Sequence, residues 1–265
     1  MNTCLSNIRL SISGKTAVRA VAAVVLLASA AVTTRAAEIL WTDGTASYND
    51  PTRWSPNAVP GPSDNAVNNN GTNNAVQINA GDPAWTVVDP LAGTVAGTGG
   101  AFEQNGSTLN VNGWFRLALA ADSTAAYTLN DGTLNLSGRL QTGEGANSLT
   151  VININGGVIN KTGGGLGLNF SDGCWGGQHS ATTIVTQNGG TINSDGETWI
   201  GQFTGATTVY NLHAGEINSS NWFVVSRAGA VGTLNMDGGV ITHVDPDGSG
   251  QPGFIVGDRA GTGGG

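Results

Sequence analysis

The phrase Gly-x-(Leu/Ile)-Asn returns along the chain at nearly fixed intervals, and this period restricts the fold more than any other feature. Its apolar residue falls at Leu109, Leu134, Ile159, Ile192, Ile217 and Ile241, at spacings of 25, 25, 33, 25 and 24 residues. Periods of roughly 20–50 residues mark solenoids, propellers and related arrays. The positions around this anchor repeat as well. Seven residues earlier stand Phe102, Tyr127, Ile152, Val185, Tyr210 and Leu234. Five earlier stand Leu129, Ile154, Leu212 and Met236, with Gln104 and Gln187 as exceptions. Apolar residues two apart mark a strand with one buried face. Next come Asn105, Asn130, Asn155, Asn188, His213 and Asp237, then Gly132, Gly157, Gly190, Gly215 and Gly239, with Ser107 as the exception. Asn, Asp and Gly adopt positive φ at low cost, so each copy reads as strand, tight turn and anchor strand. One residue past the anchor stand Asn110, Asn135, Asn160, Asn193 and Asn218, with Thr242 the exception. A third apolar stretch follows: Trp114 and Leu117, Leu140, Leu166 and Leu168, Trp199 and Ile200, Trp222 and Val224, Phe254 and Val256.

Three short strands per unit, with no helical apolar period, predict an all-β chain: a right-handed parallel β-solenoid (β-helix) of about six coils of ~25 residues starting near Phe102. An antiparallel sandwich demands no fixed period, and a propeller blade needs about 40 residues. One coil buries about five apolar side chains at about 1.5–3 kcal/mol each. Ordering its residues costs about 1–2 kcal/mol apiece. A lone coil is therefore unstable, and its neighbours must supply backbone hydrogen bonds and close the core. The repeated Asn has two readings that coexist: a turn former, or a member of an amide ladder along the stack.

Residues 1–37 differ from the rest. Arg9, Lys15 and Arg19 precede the apolar run Ala20 to Val32, and Arg35-Ala36-Ala37 offers a small-residue site, the layout of a signal peptide cleaved after Ala37. Past Ala37 six basic residues face eighteen acidic ones, about −12 in net charge. That balance argues against nucleic acid as a partner, since phosphate binding needs clustered Lys and Arg. Cys4 lies in the leader, which leaves Cys174 alone in the mature chain and no internal disulfide. With 42 glycines, and charged residues at only 11%, the chain suits many short strands joined by tight turns.

Residues 38–101 lack the period and are expected to form an N-terminal cap and irregular first coils, leaving 102–265 for the solenoid repeats. They carry Trp41-Thr42-Asp43-Gly44, Trp54 and Val59-Pro60-Gly61-Pro62-Ser63-Asp64. A paired-Trp opening, Val-Pro-Gly-x-x-Asp and units such as Tyr127-Thr128-Leu129-Asn130-Asp131-Gly132-Thr133-Leu134-Asn135 together resemble the exported β-strand-repeat proteins of Gram-negative bacteria. These include autotransporter-associated β-strand repeat proteins and PEP-CTERM-type surface proteins. The resemblance implies extracellular or outer-membrane surface localisation and a non-enzymatic structural, matrix or adhesive role, with an extracellular polysaccharide or surface protein as partner. A C-terminal sorting helix and a barrel, which the family carries, have no counterpart here. The stop at Gly261-Thr262-Gly263-Gly264-Gly265, where a seventh coil would begin, reads as a truncation ahead of an anchor.

Few residues suggest chemistry. The 33-residue interval places its eight extra residues in Asn169–His179, where Asp172, Trp175 and His179 form a possible surface contact loop. Cys174 and His179 lack a third orienting residue for nucleophilic catalysis. Asp245, Asp247 and Ser249 space oxygen ligands as a weak calcium loop does, but Val256 stands where its bidentate acid belongs. No other cofactor is expected. His213 reads as turn filler, and His179 and His243 lack metal-ligand spacing. Trp114, Trp199 and Trp222 sit at similar places in their coils and read mainly as core, with sugar stacking as the alternative. A polysaccharide lyase or glycoside hydrolase needs converging carboxylates, and Asp195, Glu197 and Glu216 fall at unmatched positions relative to their anchors. The expectation is a protein without enzymatic activity, with a carbohydrate-binding or polysaccharide-active β-helix as the alternative.

Overall fold

The computed structural model describes residues 35–163, 167–170, 180–244 and 253–257. The fold is a parallel β-solenoid of about eight turns, with no α-helix among the described residues. Each regular turn contributes one long and one short strand. The long strands Gly99–Val111, Thr124–Leu136, Thr182–Ser194 and Thr207–Ser219 each run 13 residues. In another coil the same path divides into Leu149–Ile154 and Val158–Lys161. Together they form an eleven-stranded sheet, called here the long wall. The short strands include Phe115–Leu117, Leu140–Thr142, Leu168–Phe170, Thr198–Ile200 and Phe223–Val225. They form a ten-stranded sheet, the short wall. The first two of the three expected strands are thus one strand that bends, and the ladder slips register at the bend between Leu129, Asp131 and Thr133.

The bend explains the repeated glycine. Gly132 has φ +94°, and a Cβ there would lie 2.3 Å from the Ser107 carbonyl oxygen of the turn beneath. Gly215, at φ +93°, would meet the Gly190 oxygen at 2.5 Å. Glycine is required twice over, for the left-handed backbone and for the closeness of stacked turns.

Coil-to-coil register follows the sequence rows. Phe102, Tyr127, Ile152, Val185, Tyr210 and Leu234 pair in succession, as do the anchors from Leu109 to Ile241. Stacking also continues upstream of Phe102, where Asn70–Ile78, Trp85–Val87 and Pro90–Ala92 pair with the regular coils. At the N-terminal side Trp54–Ser55 pairs antiparallel with Ala37–Trp41. Trp41, Tyr48, Trp54 and Trp85 pack there, with Trp41 edge-on to Trp54 at 4.7 Å and Tyr48 stacked on Trp85 at 4.4 Å. Each indole N–H and the Tyr48 hydroxyl donates to a backbone carbonyl, so these rings are buried without an orphan polar atom.

The two exceptions in the apolar row have partners one coil on. The Tyr127 hydroxyl donates to Gln104 Oε1 at 2.9 Å, and Tyr210 to Gln187 Oε1 at 2.6 Å. The Gln104 amide donates to the Thr133 carbonyl at 2.9 Å and that of Gln187 to the Glu216 carbonyl at 3.3 Å. Both tyrosines are buried, and burial pushes both phenols well above their ordinary pKa.

The repeated asparagines form ladders, and the left-handed conformation at the bend falls to Gly132, Gly157, Gly190 and Gly215 rather than to them. On the bend, the Nδ2 groups of Asn105, Asn130, Asn155 and Asn188 donate to the Oδ1 of Asn79, Asn105, Asn130 and Asn155 at 2.7–3.1 Å. Past the anchor, Asn135, Asn160, Asn193 and Asn218 donate to Asn110, Asn135, Asn160 and Asn193 at 2.9–3.1 Å. Both ladders cross the 33-residue interval unbroken.

That interval corrects one expectation. Leu168 and Phe170 face the core of the short wall, and Asn169 pairs between Gln141 and Trp199. Asn169 and Phe170 are therefore strand, not insertion. Seven positions separate Lys161 from Leu168 where four separate Leu136 from Leu140, so part of the extra length precedes the strand. Twelve positions separate Phe170 from Thr182 where seven separate Thr142 from Leu149, and the rest lies there. Extra residues collect in connections because the strands are locked by backbone bonds on both sides.

Candidate functional site

The outward side of the short wall gathers the unusual side chains. Phe115 and Leu117, Leu168 and Phe170, and Phe223 and Val225 point to the core. Alternation then turns Arg116, Asn169, Trp199 and Val224 outward, together with the residue just before each strand. Backbone bonds from Phe115, Leu140, Leu168 and Thr198 N–H reach the carbonyls of Arg139, Gly167, Glu197 and Trp222 at 2.7–3.1 Å. They align one row across five coils: Trp114, Arg139, Gly167, Glu197, Trp222.

This register corrects the reading of the tryptophans as core. Trp114 is 39% exposed and Trp222 is half-buried. They share a row, whereas Trp199 sits one residue further along its coil. Trp199 is buried, but on the outside of the wall, beneath the Arg227 guanidinium 4.2 Å from its ring. Taking Trp114 and Trp222, rather than Phe115 and Phe223, as the inward residues misplaces the third strand by one. Each pair of adjacent aromatics satisfied an apolar pattern in either phase.

Near the C-terminal coils the row opens into a groove of about 320 Å³, lined by Glu197, Trp199, Trp222, Val224 and Arg227. Its walls are held from several sides. The Trp222 N–H donates to Asn221 Oδ1 at 2.8 Å, and Asn221 Nδ2 donates to the Asp195 carbonyl at 3.1 Å. Arg227 N–H donates to the Gly201 carbonyl at 3.0 Å. Arg227 lies between Ser226 at φ +67° and Ala228 at φ +48°, a left-handed conformation that costs non-glycine residues about 1–2 kcal/mol. Further along the wall Arg139 lies 5.0 Å and Arg116 5.6 Å from the Trp114 ring. Arg116 Nε donates to Glu144 Oε1 at 2.7 Å in a forked ion pair.

The three weighed acids do not converge. Glu197 lines the groove. Asp195 accepts from the Ser220 hydroxyl at 3.2 Å, at the corner between the walls. Glu216 lies on the long wall between Thr191 and Val240. Lys161, buried at the same corner as Asp195, donates to the Thr162 and Gly163 carbonyls. Burial lowers its pKa, and the Asp195 carboxylate opposes that shift. His213 occupies the bend position and shares a hydrogen bond of 2.6 Å with Asp237. Among the described residues no three His, Cys, Asp or Glu side chains are grouped to hold a metal ion, and no helix is long and apolar enough to cross a membrane. The contact loop Asp172, Trp175 and His179 and the calcium candidate Asp245, Asp247 and Ser249 lie outside the described residues. The sequence singled out Trp222 and Glu197 separately. Val224 reads from sequence as strand interior, and Arg227 carries no signal because nothing local marks a loop arginine that folds over a ring 28 positions away.

No protein-family model, curated protein or solved structure matches this chain.

Proposed function

We propose that this chain is a non-enzymatic repeat protein, exported to the extracellular space or the outer-membrane surface, with a structural or adhesive role. The observation that carries the reading is the pair of unbroken asparagine ladders. They commit the repeated polar side chains of the long wall to one another, from Asn79 to Asn188 and from Asn110 to Asn218. Such rows stiffen a rod and leave nothing in them to move a proton. The divergence of Asp195, Glu197 and Glu216 supports the same reading, because paired-carboxylate hydrolysis needs two acids on one face. The basic and apolar segment before Ala37 supports export. The partner on this reading is an extracellular polysaccharide or surface protein.

Expression of the full chain in a Gram-negative host, followed by fractionation and protease digestion of intact cells, tests the localisation. Shortened, protease-accessible material outside the inner membrane is expected, and full-length protein confined to the cytoplasm overturns the proposal. Incubation with a set of polysaccharides tests the remainder, since release of soluble sugar overturns the non-enzymatic part. One observation favours a carbohydrate-binding role: the groove at Trp222, where an aromatic ring, a carboxylate and a guanidinium meet.

A further inference from the structure

We propose that the groove formed by Glu197, Trp199, Trp222, Val224 and Arg227 is a subsite for one or two rings of a neutral glycan. The inference rests on the adhesive reading above and names what the surface holds. Three observations select this ligand class.

The first is the mixture of chemistries. Trp222 and Val224 supply an apolar platform, Glu197 supplies acceptors only, and Arg227 supplies donors only. A sugar ring has a C–H face for the indole and hydroxyls that both donate and accept. At about 320 Å³, the groove is at the small end of the roughly 300–1,000 Å³ typical of ligand sites.

The second is charge. Beyond residue 37 the chain has eighteen acids against six bases, so its field repels a polyanion on approach. Within the groove Glu197 and Arg227 offset each other. The cation-binding position over Trp199 is already filled by Arg227 at 4.2 Å, which disfavours a cationic ligand there. A neutral chain remains.

The third is preorganisation. The turn after several short-wall strands opens on a left-handed residue, Gly93, Ala118, Gly143, Gly201 and Gly257 elsewhere and Ser226 beside the groove. The turn that carries Arg227 has Ser226, Ala228 and Gly229 all at positive φ, and the Ser226 hydroxyl donates to the Ala230 carbonyl at 2.7 Å. These left-handed residues and the Ser226 hydrogen bond fix the turn that holds Arg227 over Trp199 beside the groove.

The test uses the full chain in titrations against soluble neutral polymers (a mixed-linkage β-glucan, a xyloglucan and a galactomannan) and against polygalacturonate. Tryptophan fluorescence and heat are the readouts. Saturable binding to at least one neutral polymer is expected. Trp222→Ala should weaken it by about tenfold and Arg227→Gln by about threefold. Trp114→Ala, roughly 19 Å away by the usual strand spacing, should leave it unchanged. If Trp222→Ala unfolds, Trp222→Phe takes its place and should bind with intermediate affinity. The proposal is overturned by the absence of neutral-polymer binding, by a preference for polygalacturonate, or by wild-type affinity in a folded Trp222 variant. Trp222-dependent release of sugar would uphold the subsite while removing the non-enzymatic reading. Failure to bind with surface display intact removes the subsite alone.

Discussion

The long wall and the short wall share one period and one core, yet their outer surfaces are built in opposite ways. Past the anchor, the long wall repeats a single residue type through Asn110, Asn135, Asn160, Asn193 and Asn218, each bonded to the next. Across the short wall the aligned row reads Trp114, Arg139, Gly167, Glu197, Trp222, with no two neighbours alike. Stacked coils place equivalent side chains about 4.8 Å apart, so an amide meets its own copy at hydrogen-bond distance. A repeated polar row is therefore used for cohesion. An unrepeated row cannot pair each side chain with its own copy, and around Trp222 it opens into a groove. Regularity in this fold marks structure, and its breakdown marks the place to look for ligands.

The comparison can be broken most severely at the bend of the long wall. Gly132→Ala introduces a Cβ 2.3 Å from the Ser107 oxygen at a left-handed position. A loss of about 3 kcal/mol or more is expected from strain and displacement of the turn. Urea unfolding measures it, and a loss below about 1 kcal/mol would mean that the stacked turns slide apart freely.

The next effect concerns the couples that tie one coil to the next inside the core. Tyr127→Phe leaves Gln104 Oε1 buried without its donor and should cost about 1–3 kcal/mol. Adding Gln104→Leu should recover most of that loss, and a double-mutant cycle reads the coupling. Additive losses would show that Tyr127 acts only through its ring.

The same couples set an alkaline limit. In the unfolded chain tyrosine ionises near pH 10, whereas burial holds the Tyr127 and Tyr210 phenols protonated well above that. Above pH 10 the folded state thus binds more protons than the unfolded state, and stability falls with rising pH. The slope approaches about 1.4 kcal/mol per pH unit for each tyrosine. Denaturant midpoints taken across strongly alkaline pH should drop above about 10, and Tyr127→Phe should remove one proton from the slope. A flat profile in the wild type would place these phenols in contact with solvent.

The smallest effect sharpens the contrast between the walls. Asn135→Ala removes one donated and one accepted ladder bond of a half-buried side chain, together worth about 1 kcal/mol. It should lower the melting temperature without touching glycan affinity, whereas Trp222→Ala should do the reverse. If both variants move both quantities, the walls are not separate in function.

Much of the fold was legible because its signals are local. Alternation within Tyr127–Leu129 fixes which side is buried, and Asn-Asp-Gly at 130–132 fixes the bend, within a few residues of chain. The candidate site was legible only in pieces. Trp114-Phe115 and Trp222-Phe223 are adjacent aromatics, and either member of each pair could have filled the core. The pairing of Phe115 with Leu140 and of Phe223 with Thr198 chose the phenylalanines and turned the indoles out. The extra residues were misplaced for a related reason, since an interval length gives the size of an insertion but not its position.

By itself, then, the sequence determined the period, the identity of the rows and the need to stack, because each follows from short-range alternation and turn chemistry. Only the tertiary structure decided that Gln104 and Gln187 are satisfied by tyrosines one coil on, that Arg227 covers Trp199, and that Glu197 and Trp222 share a groove. These contacts join residues in different coils, 23 or more positions apart. Their alignment is set by the backbone hydrogen bonds of the stacked coils, which no short stretch of sequence encodes.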